Sequence, residues 1–254
     1  MSARAVGVIP SRWGSTRFPG KSLALIGGKP LLAWVLERVR QATRLDEILV
    51  ATDDERIAAA ARSFGAAVAM TRADHPSGTD RIAEAIRRIS ADVVVNIQGD
   101  EPLIDPALID RVAGALLDAG GWDMATAASP ICTSEELHNP DVVKVVRAAD
   151  GRALYFSRSV IPFVRGAPAG FAPVAGQHLR HVGIYGYRRA FLERLVKEPP
   201  CALENLEKLE QLRALSLGGR MVVLEGEAAG IGVDSPGDVP KAEALLRAAG
   251  LLPR

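Results

Sequence analysis

Three positively charged side chains lie close together, directly after the first predicted strand. Arg12, Arg17 and Lys21 occupy one glycine-containing loop that follows the apolar run Ala5–Pro10. Backbone amides and several cations on one loop are the groups that bind a triphosphate. A solvated basic loop is the alternative for such a cluster. The position immediately after a strand favours the binding function, because ligands of open α/β sheets bind at the carboxyl ends of the strands.

The end of this loop also resembles a Walker A motif. Gly20, Lys21 and Ser22 have the residue types that close that motif, but Ser15 stands where its first glycine is needed. Pro19 lies inside the loop, and no helix is predicted directly after it. The loop therefore indicates a phosphate site that is not a P-loop.

Two acidic residues follow strands elsewhere in the chain. Asp100 comes after the β-branched run 92–97, with Gly99 allowing a close backbone approach, and Asp234 precedes a predicted helix. Either acid alone is more simply explained as a helix cap. Together they supply two oxygen ligands that can hold Mg²⁺ against substrate phosphates. Glu101 precedes a proline and is the weaker candidate.

Other polar clusters carry weaker signals. Residues 72–81 (RADHPSGTDR) form a polar loop before a helix, which either binds a base edge or only caps that helix. His178 and His181 lack further partners at metal-ligand spacing. Neither GxGxxG nor GxSxG occurs, which argues against a Rossmann dehydrogenase and an α/β-hydrolase.

The composition is that of a globular protein, with 48% hydrophobic and 24% charged residues. A net charge of +1 gives no general attraction to nucleic acid, so a polyanion site must be a local cluster. Cys132 and Cys201 lie far apart, which makes a disulfide framework or a zinc site improbable. The sequence shows no signal peptide and no run of roughly 20 apolar residues. We expect a cytoplasmic protein with neither a nucleic-acid nor a membrane partner.

Short apolar runs alternate with amphipathic runs, which predicts an α/β fold with a mostly parallel sheet sandwiched by helices. A single domain, 1–254, is expected, with a smaller antiparallel portion at about 124–200 and a mobile loop at 166–176. Strands are predicted at 5–10, 47–51, 67–71, 92–97, 124–131, 142–147, 153–157, 181–188 and 220–224. Helices are predicted at 30–43, 105–117, 203–215 and 236–249. Three more are predicted: one that follows 52–54 and ends at 63, one that follows the loop 74–80 and ends at about 90, and a short one directly after 188.

Several segments resemble, in the same order, the CMP-Kdo synthetases (3-deoxy-manno-octulosonate cytidylyltransferases), a family of sugar nucleotidyltransferases. They are RWGSTRFPGKSL, TRADHPSGTDR, VNIQGDEPLI, NPDVVKVV, ALYFSRSVIP, LRHVGIYGYR, LEKLEQLR and GIGVDSP. The first is shared with other sugar nucleotidyltransferases, whereas ALYFSR, HVGIYGYR and LEQLR point to Kdo, an acidic eight-carbon sugar. The resemblance spans nearly the whole chain. It departs at Phe163, Ser235 and Gly237, where Tyr or Trp, Thr and Glu are expected.

The resemblance implies a role for each matching position. The catalytic residues would be Arg12, Lys21, Asp100 and Asp234, with Asp100 and Asp234 binding Mg²⁺. CTP would contact Ser11, Arg12, Ser15, Lys21, Ser77, Gly78, Thr79, Arg81 and Asp100, with Arg17 shaping the loop. The sugar would contact Gln98, Arg158, His181, Tyr185, Glu210 and Gln211. The residues alone leave a structural alternative for each sugar contact. Arg158 could form a surface ion pair, His181 could be a core histidine, and Glu210 and Gln211 could belong to a plain helix face.

The family further implies a nucleotide-diphospho-sugar transferase-like fold and a homodimer joined largely by the second-half sheet. The implied reaction transfers CMP from CTP to Kdo for lipopolysaccharide biosynthesis and releases pyrophosphate. The anomeric hydroxyl would attack the α-phosphorus in line, with positioning and charge neutralisation carrying the catalysis. A CMP-sialic acid synthetase, a hexose-1-phosphate nucleotidyltransferase and a non-catalytic CTP-binding protein are the alternatives.

Overall fold

The computed structural model describes residues 3–15, 17–118, 120–226 and 230–252. In this part of the chain, nine strands form one sheet and two short ones form a separate hairpin. The strands are β1 (Ala5–Ser11), β2 (Leu25–Ile26), β3 (Lys29–Pro30), β4 (Glu47–Thr52), β5 (Ala67–Met70), β6 (Val93–Asn96), β7 (Met124–Pro130), β8 (Lys144–Arg147), β9 (Ala153–Ser157), β10 (Leu179–Arg188) and β11 (Met221–Glu225).

The large sheet has the order β11-β7-β10-β6-β1-β4-β5. Strand β8 also belongs to it and pairs with β10 and with β9. Strand β1 pairs in parallel with β4 and β6, and β4 pairs in parallel with β5. Strand β10 runs antiparallel between β6 and β7. The expected mixed α/β sheet with an antiparallel portion is confirmed, and the antiparallel strands continue the same sheet.

Helices cover both faces of this sheet, as the sequence predicted. One buried cluster combines residues of the first, second, fourth and last helices, and a second combines residues of the third, sixth and eighth. In the described residues the helices are α1 (Leu31–Val39), α2 (Glu55–Ser63), α3 (Gly78–Ala85), α4 (Pro106–Leu117), α5 (Ser134–His138), α6 (Arg189–Leu195), α7 (Ala202–Glu207), α8 (Gln211–Ser216) and α9 (Val239–Ala248). None of these helices has the length and apolar character needed to cross a bilayer.

The predicted first helix differs from the observed one at both ends. Pro30 was expected inside the helix, but its extended backbone (ψ 141°) pairs with Leu25 across the β2–β3 hairpin, so α1 begins at Leu31. The helix ends at Val39, not at Thr43. The backbone N–H of Thr43 donates instead to the carboxylate of Asp110 on α4, which holds this segment in a turn.

The helix predicted at 203–215 is divided into α7 and α8. Lys208, between them, has a left-handed backbone (φ 54°, ψ 47°), which costs a residue with a side chain about 1–2 kcal/mol. The two helices are tied together by Glu204 and Arg213, whose side chains make two hydrogen bonds of 2.8 and 2.7 Å. Tertiary contacts therefore override a local sequence that favours one continuous helix.

Three further differences are local. The helix expected to run to about residue 90 ends at Ala85. The helix predicted from Pro236 starts as a 3₁₀ turn and becomes α-helical at Val239. Helix α5 was not predicted, and its start is set by Thr133, whose hydroxyl accepts a hydrogen bond of 3.1 Å from the N–H of Glu136. The extent of the single domain and the mobility of residues 166–176 stay predictions.

Candidate functional site

The basic loop after β1 is closed by its own backbone. The carbonyl of Trp13 accepts hydrogen bonds from the N–H groups of Ser15 and Gly20, both at 2.9 Å. This brings Lys21, at the start of a 3₁₀ turn, back beside the carboxyl end of β1. Arg12 and Arg17 remain exposed on the loop. The loop thus presents its three cations on one side of the strand end.

Trp13 fixes the shape of this loop. Its ring packs against the α-carbon of Gly20, where an added Cβ would lie 2.8 Å from the ring. The Arg56 guanidinium lies 3.3 Å from the centre of the same ring and pairs with Asp54 at 2.6 Å. Because Gly20 has a positive φ (70°), this close approach needs a glycine.

Asp100 and Asp234 meet at this loop, as the sequence predicted. The Lys21 ammonium lies 2.5 Å from Asp100 Oδ2 and 3.1 Å from Asp234 Oδ1. Arg17 lies 3.3 Å from the second oxygen of Asp234. Burial by itself would lower the pKa of Lys21, but the two carboxylates outweigh it and hold that pKa above its ordinary value. The site therefore joins two acids and two cations in one ionic cluster.

Neither acid caps a helix, which removes the simpler explanation of each. Asp105 caps α4 by accepting from the N–H of Ala107, and Ser235 with Asp238 forms the capping box of the turn that follows Asp234. The two acidic segments are joined by the N–H of Val233, which donates to the Asp100 carbonyl at 2.9 Å. The two carboxylates are thus held at one place, where their charged partners are Lys21 and Arg17.

The paired carboxylates suit a magnesium ion that substrate helps to hold. No group of three or more His, Cys, Asp or Glu side chains converges within the described residues. Mg²⁺ commonly uses one or two carboxylates together with waters and substrate phosphates. The Lys21 ammonium already lies against both acids as a stand-in cation. Glu101 is a poorer ligand, because burial and then the charge of Asp100 raise its pKa to about 7.

The predicted nucleotide residues, with the exception of Thr79, line one cleft, the nucleotide compartment. Gly99 lies at its floor, where an added Cβ would meet Ser11 Oγ at 3.1 Å and the Pro10 carbonyl at 3.2 Å. Arg81 is buried and donates to Thr71 at 2.6 Å, so its charge is fixed in the wall. The lining residues are Pro10, Ser11, Arg12, Ser15, Arg17, Lys21, Ser22, His75, Pro76, Ser77, Gly78, Arg81, Gln98, Gly99, Asp100 and Asp234.

A second compartment adjoins the first and shares three of its residues. Its lining residues are Pro10, Gly78, Thr79, Asn96, Gln98, Met124, Tyr185, Tyr187, Leu195, Glu210 and Gln211. Four predicted sugar residues are therefore brought together here, and Thr79, predicted at the nucleotide, faces this compartment. Gln98 lies between the two spaces and donates to the Gly183 carbonyl at 3.0 Å.

Arg158 and His181 do not line either compartment. Arg158 donates through Nε to the Glu207 carbonyl (2.8 Å) and through Nη1 to the Pro140 carbonyl (3.0 Å). His181 Nε2 is 2.9 Å from the Thr126 hydroxyl, and its ring contacts Tyr185. Burial lowers the pKa of His181 to about 3, so it is a neutral histidine. In this structure both side chains support the walls behind the pocket.

Sequence reasoning did not select two polar residues at the cleft. Asn96, at the end of β6, is buried, and its Oδ1 has no hydrogen-bond partner within the described residues. A polar residue closing an apolar strand was the available signal. His75 lines the nucleotide compartment and pairs through Nε2 with Glu84 of α3. This contact holds the polar loop 72–77 against the helix that it precedes.

Known proteins resemble this chain over nearly its whole length. A family model described as cytidylyltransferase matches residues 6–223. The 3-deoxy-manno-octulosonate cytidylyltransferase of Geobacter sulfurreducens is 50% identical over 239 residues, covering 92% of this chain and 96% of that protein. The enzyme of the same name from Bdellovibrio bacteriovorus is 47% identical over 248 residues, covering 98% and 100%.

A solved structure agrees at the level of the backbone. The structure of a CMP:2-keto-3-deoxy-manno-octonic acid synthetase complexed with CTP superposes with a TM-score of 0.91 at 41% identity. The match covers 97% of this chain and all (100%) of that one. The chain therefore belongs to the cytidylyltransferase family and, within it, to the 3-deoxy-manno-octulosonate cytidylyltransferases.

Proposed function

We propose that this protein transfers CMP from CTP to 3-deoxy-D-manno-octulosonate and releases pyrophosphate. The observation that carries the proposal is the junction of two unlike compartments at Gln98. One has a cationic loop and paired carboxylates, as a metal–triphosphate requires, and the other has polar side chains suited to sugar hydroxyls. Relatives at 47–50% identity over nearly the whole chain carry the corresponding enzyme name. The product would serve lipopolysaccharide biosynthesis.

The nucleotide side of the reaction needs charge neutralisation. Arg12 and Lys21 would take up the negative charge of the β- and γ-phosphates as pyrophosphate leaves. The buried Ser11 hydroxyl has no partner within the described residues and lies beside Gly99, where it can donate to a phosphate oxygen. Asp100 and Asp234 would hold Mg²⁺, which supplies polarisation of the phosphate and a lower pKa for a nearby hydroxyl.

The sugar side of the reaction needs positioning. Gln98, Tyr185, Glu210 and Gln211 line the second compartment and can bind the hydroxyls of an eight-carbon acid. Burial raises the pKa of Tyr185 well above its ordinary value, so it stays a neutral hydrogen-bonding phenol. A direct sugar contact from Arg158 or His181 would require these side chains to leave their present hydrogen bonds.

We propose that the protein works as a homodimer in the cytoplasm, where its co-substrate CTP is found. Large apolar side chains are exposed in the second half of the chain, among them Leu154 (49% exposed), Phe163 (79%) and Leu206 (81%). Exposed apolar side chains that form a contiguous patch are typical of protein interfaces. Light scattering coupled to size-exclusion chromatography should give about twice the chain mass of 26.9 kDa; a monomer at all concentrations would contradict the dimer.

The activity is tested by pyrophosphate release from CTP and Mg²⁺. Kdo should be required, while sialic acid, glucose 1-phosphate and buffer should give none. We expect Asp100→Asn to lower the rate by roughly 10²–10³-fold, the usual loss when a group that stabilises transition-state charge is removed. Asp105→Asn is the matched control, because Asn caps a helix as well as Asp and this residue lies outside the cleft.

Each alternative gives a different result in this assay. Release that requires sialic acid would favour a CMP-sialic acid synthetase, and release with glucose 1-phosphate would favour a hexose-1-phosphate enzyme. CTP binding without release for any sugar would contradict the proposed transfer and favour a binding protein.

A further inference from the structure

The Lys21 ammonium lies between Asp100 and Asp234, the two acids that would hold a divalent cation. It contacts one oxygen of each acid, at 2.5 and 3.1 Å. Its side chain is only 20% exposed, and that of Asp100 only 21%. The two carboxylates that would hold the metal are therefore already held together by the positive charge of Lys21.

The charges of this cluster balance without any metal. Lys21 and Arg17 oppose Asp100 and Asp234, and Arg17 makes the longer contact, 3.3 Å, from a side chain that is 71% exposed. A divalent ion entering between the acids would meet the Lys21 ammonium at close range, where like charges repel strongly. The ammonium and the metal therefore compete for the same oxygen atoms.

Lys21 is also close to the expected triphosphate. It lines the nucleotide compartment with Arg12 and Ser15. A lysine side chain has a flexible four-carbon stem, and its ammonium can exchange one set of oxygen acceptors for another. Nucleotide phosphates can thus replace the carboxylates as partners of Lys21 while the metal takes the carboxylates.

We propose that Lys21 is a stand-in cation that positions Asp100 and Asp234 in the nucleotide-free enzyme and releases them when metal and CTP arrive together. This inference rests on the proposed function, because it assumes the magnesium–CTP site. It explains how two acids stay together before the metal binds. It also makes metal binding depend on the nucleotide, since the phosphates must draw the ammonium away first.

A purely structural role of Lys21 predicts a different metal affinity for the variant that lacks it. If Lys21 only oriented the acids, its removal would leave them misplaced, and metal affinity would fall or stay unchanged. If Lys21 competes with the metal, its removal raises metal affinity in the free enzyme. Measuring metal affinity without nucleotide separates these roles.

The test uses Mn²⁺ as the probe, measured by electron paramagnetic resonance of the unbound ion. We expect Lys21→Met to bind Mn²⁺ about tenfold more tightly than the native protein without nucleotide, within the usual range of couplings between sites. CTP should then improve Mn²⁺ affinity strongly in the native protein and only weakly in the variant, after correction for Mn²⁺–CTP in buffer. Lys21→Arg, which keeps a positive charge, should retain the weak binding of the free native protein.

Lys29→Met is the control for the substitution itself. Lys29 pairs with Glu37 at 2.7 Å outside the cleft, so this variant should match the native protein in Mn²⁺ affinity. Lys21→Gln is a second uncharged variant, for use if the methionine variant does not fold.

Two failures can be told apart. Unchanged or weaker Mn²⁺ binding in the uncharged variants, with CTP-dependent Mn²⁺ binding intact in the native protein, would overturn the stand-in role alone. A native protein that binds no Mn²⁺ even with CTP would overturn the metal site itself and the inference with it.

Discussion

Replacing Gly20 by alanine tests whether close packing against Trp13 sets the shape of the basic loop after β1. Gly20 has φ 70°, and an added Cβ would lie 2.8 Å from Trp13 Cη2 and 3.0 Å from Cζ3. The Arg56 guanidinium lies 3.3 Å from the centre of the ring, so a shift of the ring would also disturb this contact. The new methyl group must therefore displace either the ring or the loop.

Gly28 provides a matched control for the backbone part of this effect. It also has a positive φ, 81°, but an added Cβ would meet no atom within 4 Å. The left-handed conformation should cost alanine about 1–2 kcal/mol at both positions. Overpacking should add about 1–3 kcal/mol at Gly20 alone. We therefore expect Gly20→Ala to lose about 2–5 kcal/mol of unfolding free energy and Gly28→Ala only about 1–2 kcal/mol.

Urea unfolding of the two variants gives the stability difference, and titration with CTP gives the functional one. We expect the dissociation constant for CTP to rise about tenfold in Gly20→Ala, equal to about 1.4 kcal/mol, and to stay unchanged in Gly28→Ala. The reason is that Lys21 follows Gly20 directly, and that the N–H of Gly20 closes the loop on the Trp13 carbonyl. Equal stability losses in the two variants, or unchanged CTP affinity in Gly20→Ala, would refute this account.

Two further predictions concern the support of the second compartment. Glu204→Leu should cost about 3–5 kcal/mol, because it leaves the buried Arg213 guanidinium without its carboxylate partner; the double variant with Arg213→Met should recover part of this loss in urea unfolding. Because the pKa of His181 is lowered in the folded state, the unfolded state binds more protons below pH about 6.5, and stability should fall on acidification by up to about 1.4 kcal/mol per pH unit. The unfolding free energy of His181→Asn should fall less between pH 7.5 and 5.5; parallel curves would contradict the buried neutral state.

The nucleotide side of the site could be predicted because residue type and strand position agree there. The loop after β1 and Asp100 after β6 carry groups with an evident use at the carboxyl ends of strands. Asp234 follows no strand within the described residues, and the hydrogen bond from the Val233 N–H to the Asp100 carbonyl brings its segment to the same place. That rule brings residues distant in sequence to one edge, and the structure places Lys21 against both acids. The charges of these residues identified them as candidates, and the order of the strands in the sheet brings them close together.

The arrangement of the second compartment could not be predicted in the same way, because the positions of its residues depend on the register of an antiparallel strand. Strand β10 places Tyr185 opposite Asn96, and its register against β7 shifts between Val182 and Tyr185. The buried Thr126 hydroxyl donates to the Ile184 carbonyl at 2.7 Å inside this irregular stretch. No residue pattern in the strand predicts the shift, so Tyr187 could not be assigned to the pocket beforehand.

Glu210 and Gln211 line the second compartment, but their position there could not be predicted from the sequence. Their segment is made of good helix formers, and local propensity favours one helix through both. The helix breaks because contacts beyond the segment hold each part separately: the Glu207 carboxylate accepts from the Ser157 hydroxyl (2.6 Å) and the Arg158 N–H (2.9 Å) at the end of β9. With α7 held there, the chain turns at Lys208 and begins α8 at the pocket. The orientation of the proposed sugar-binding pair is therefore set by β9, a strand that does not itself line the pocket.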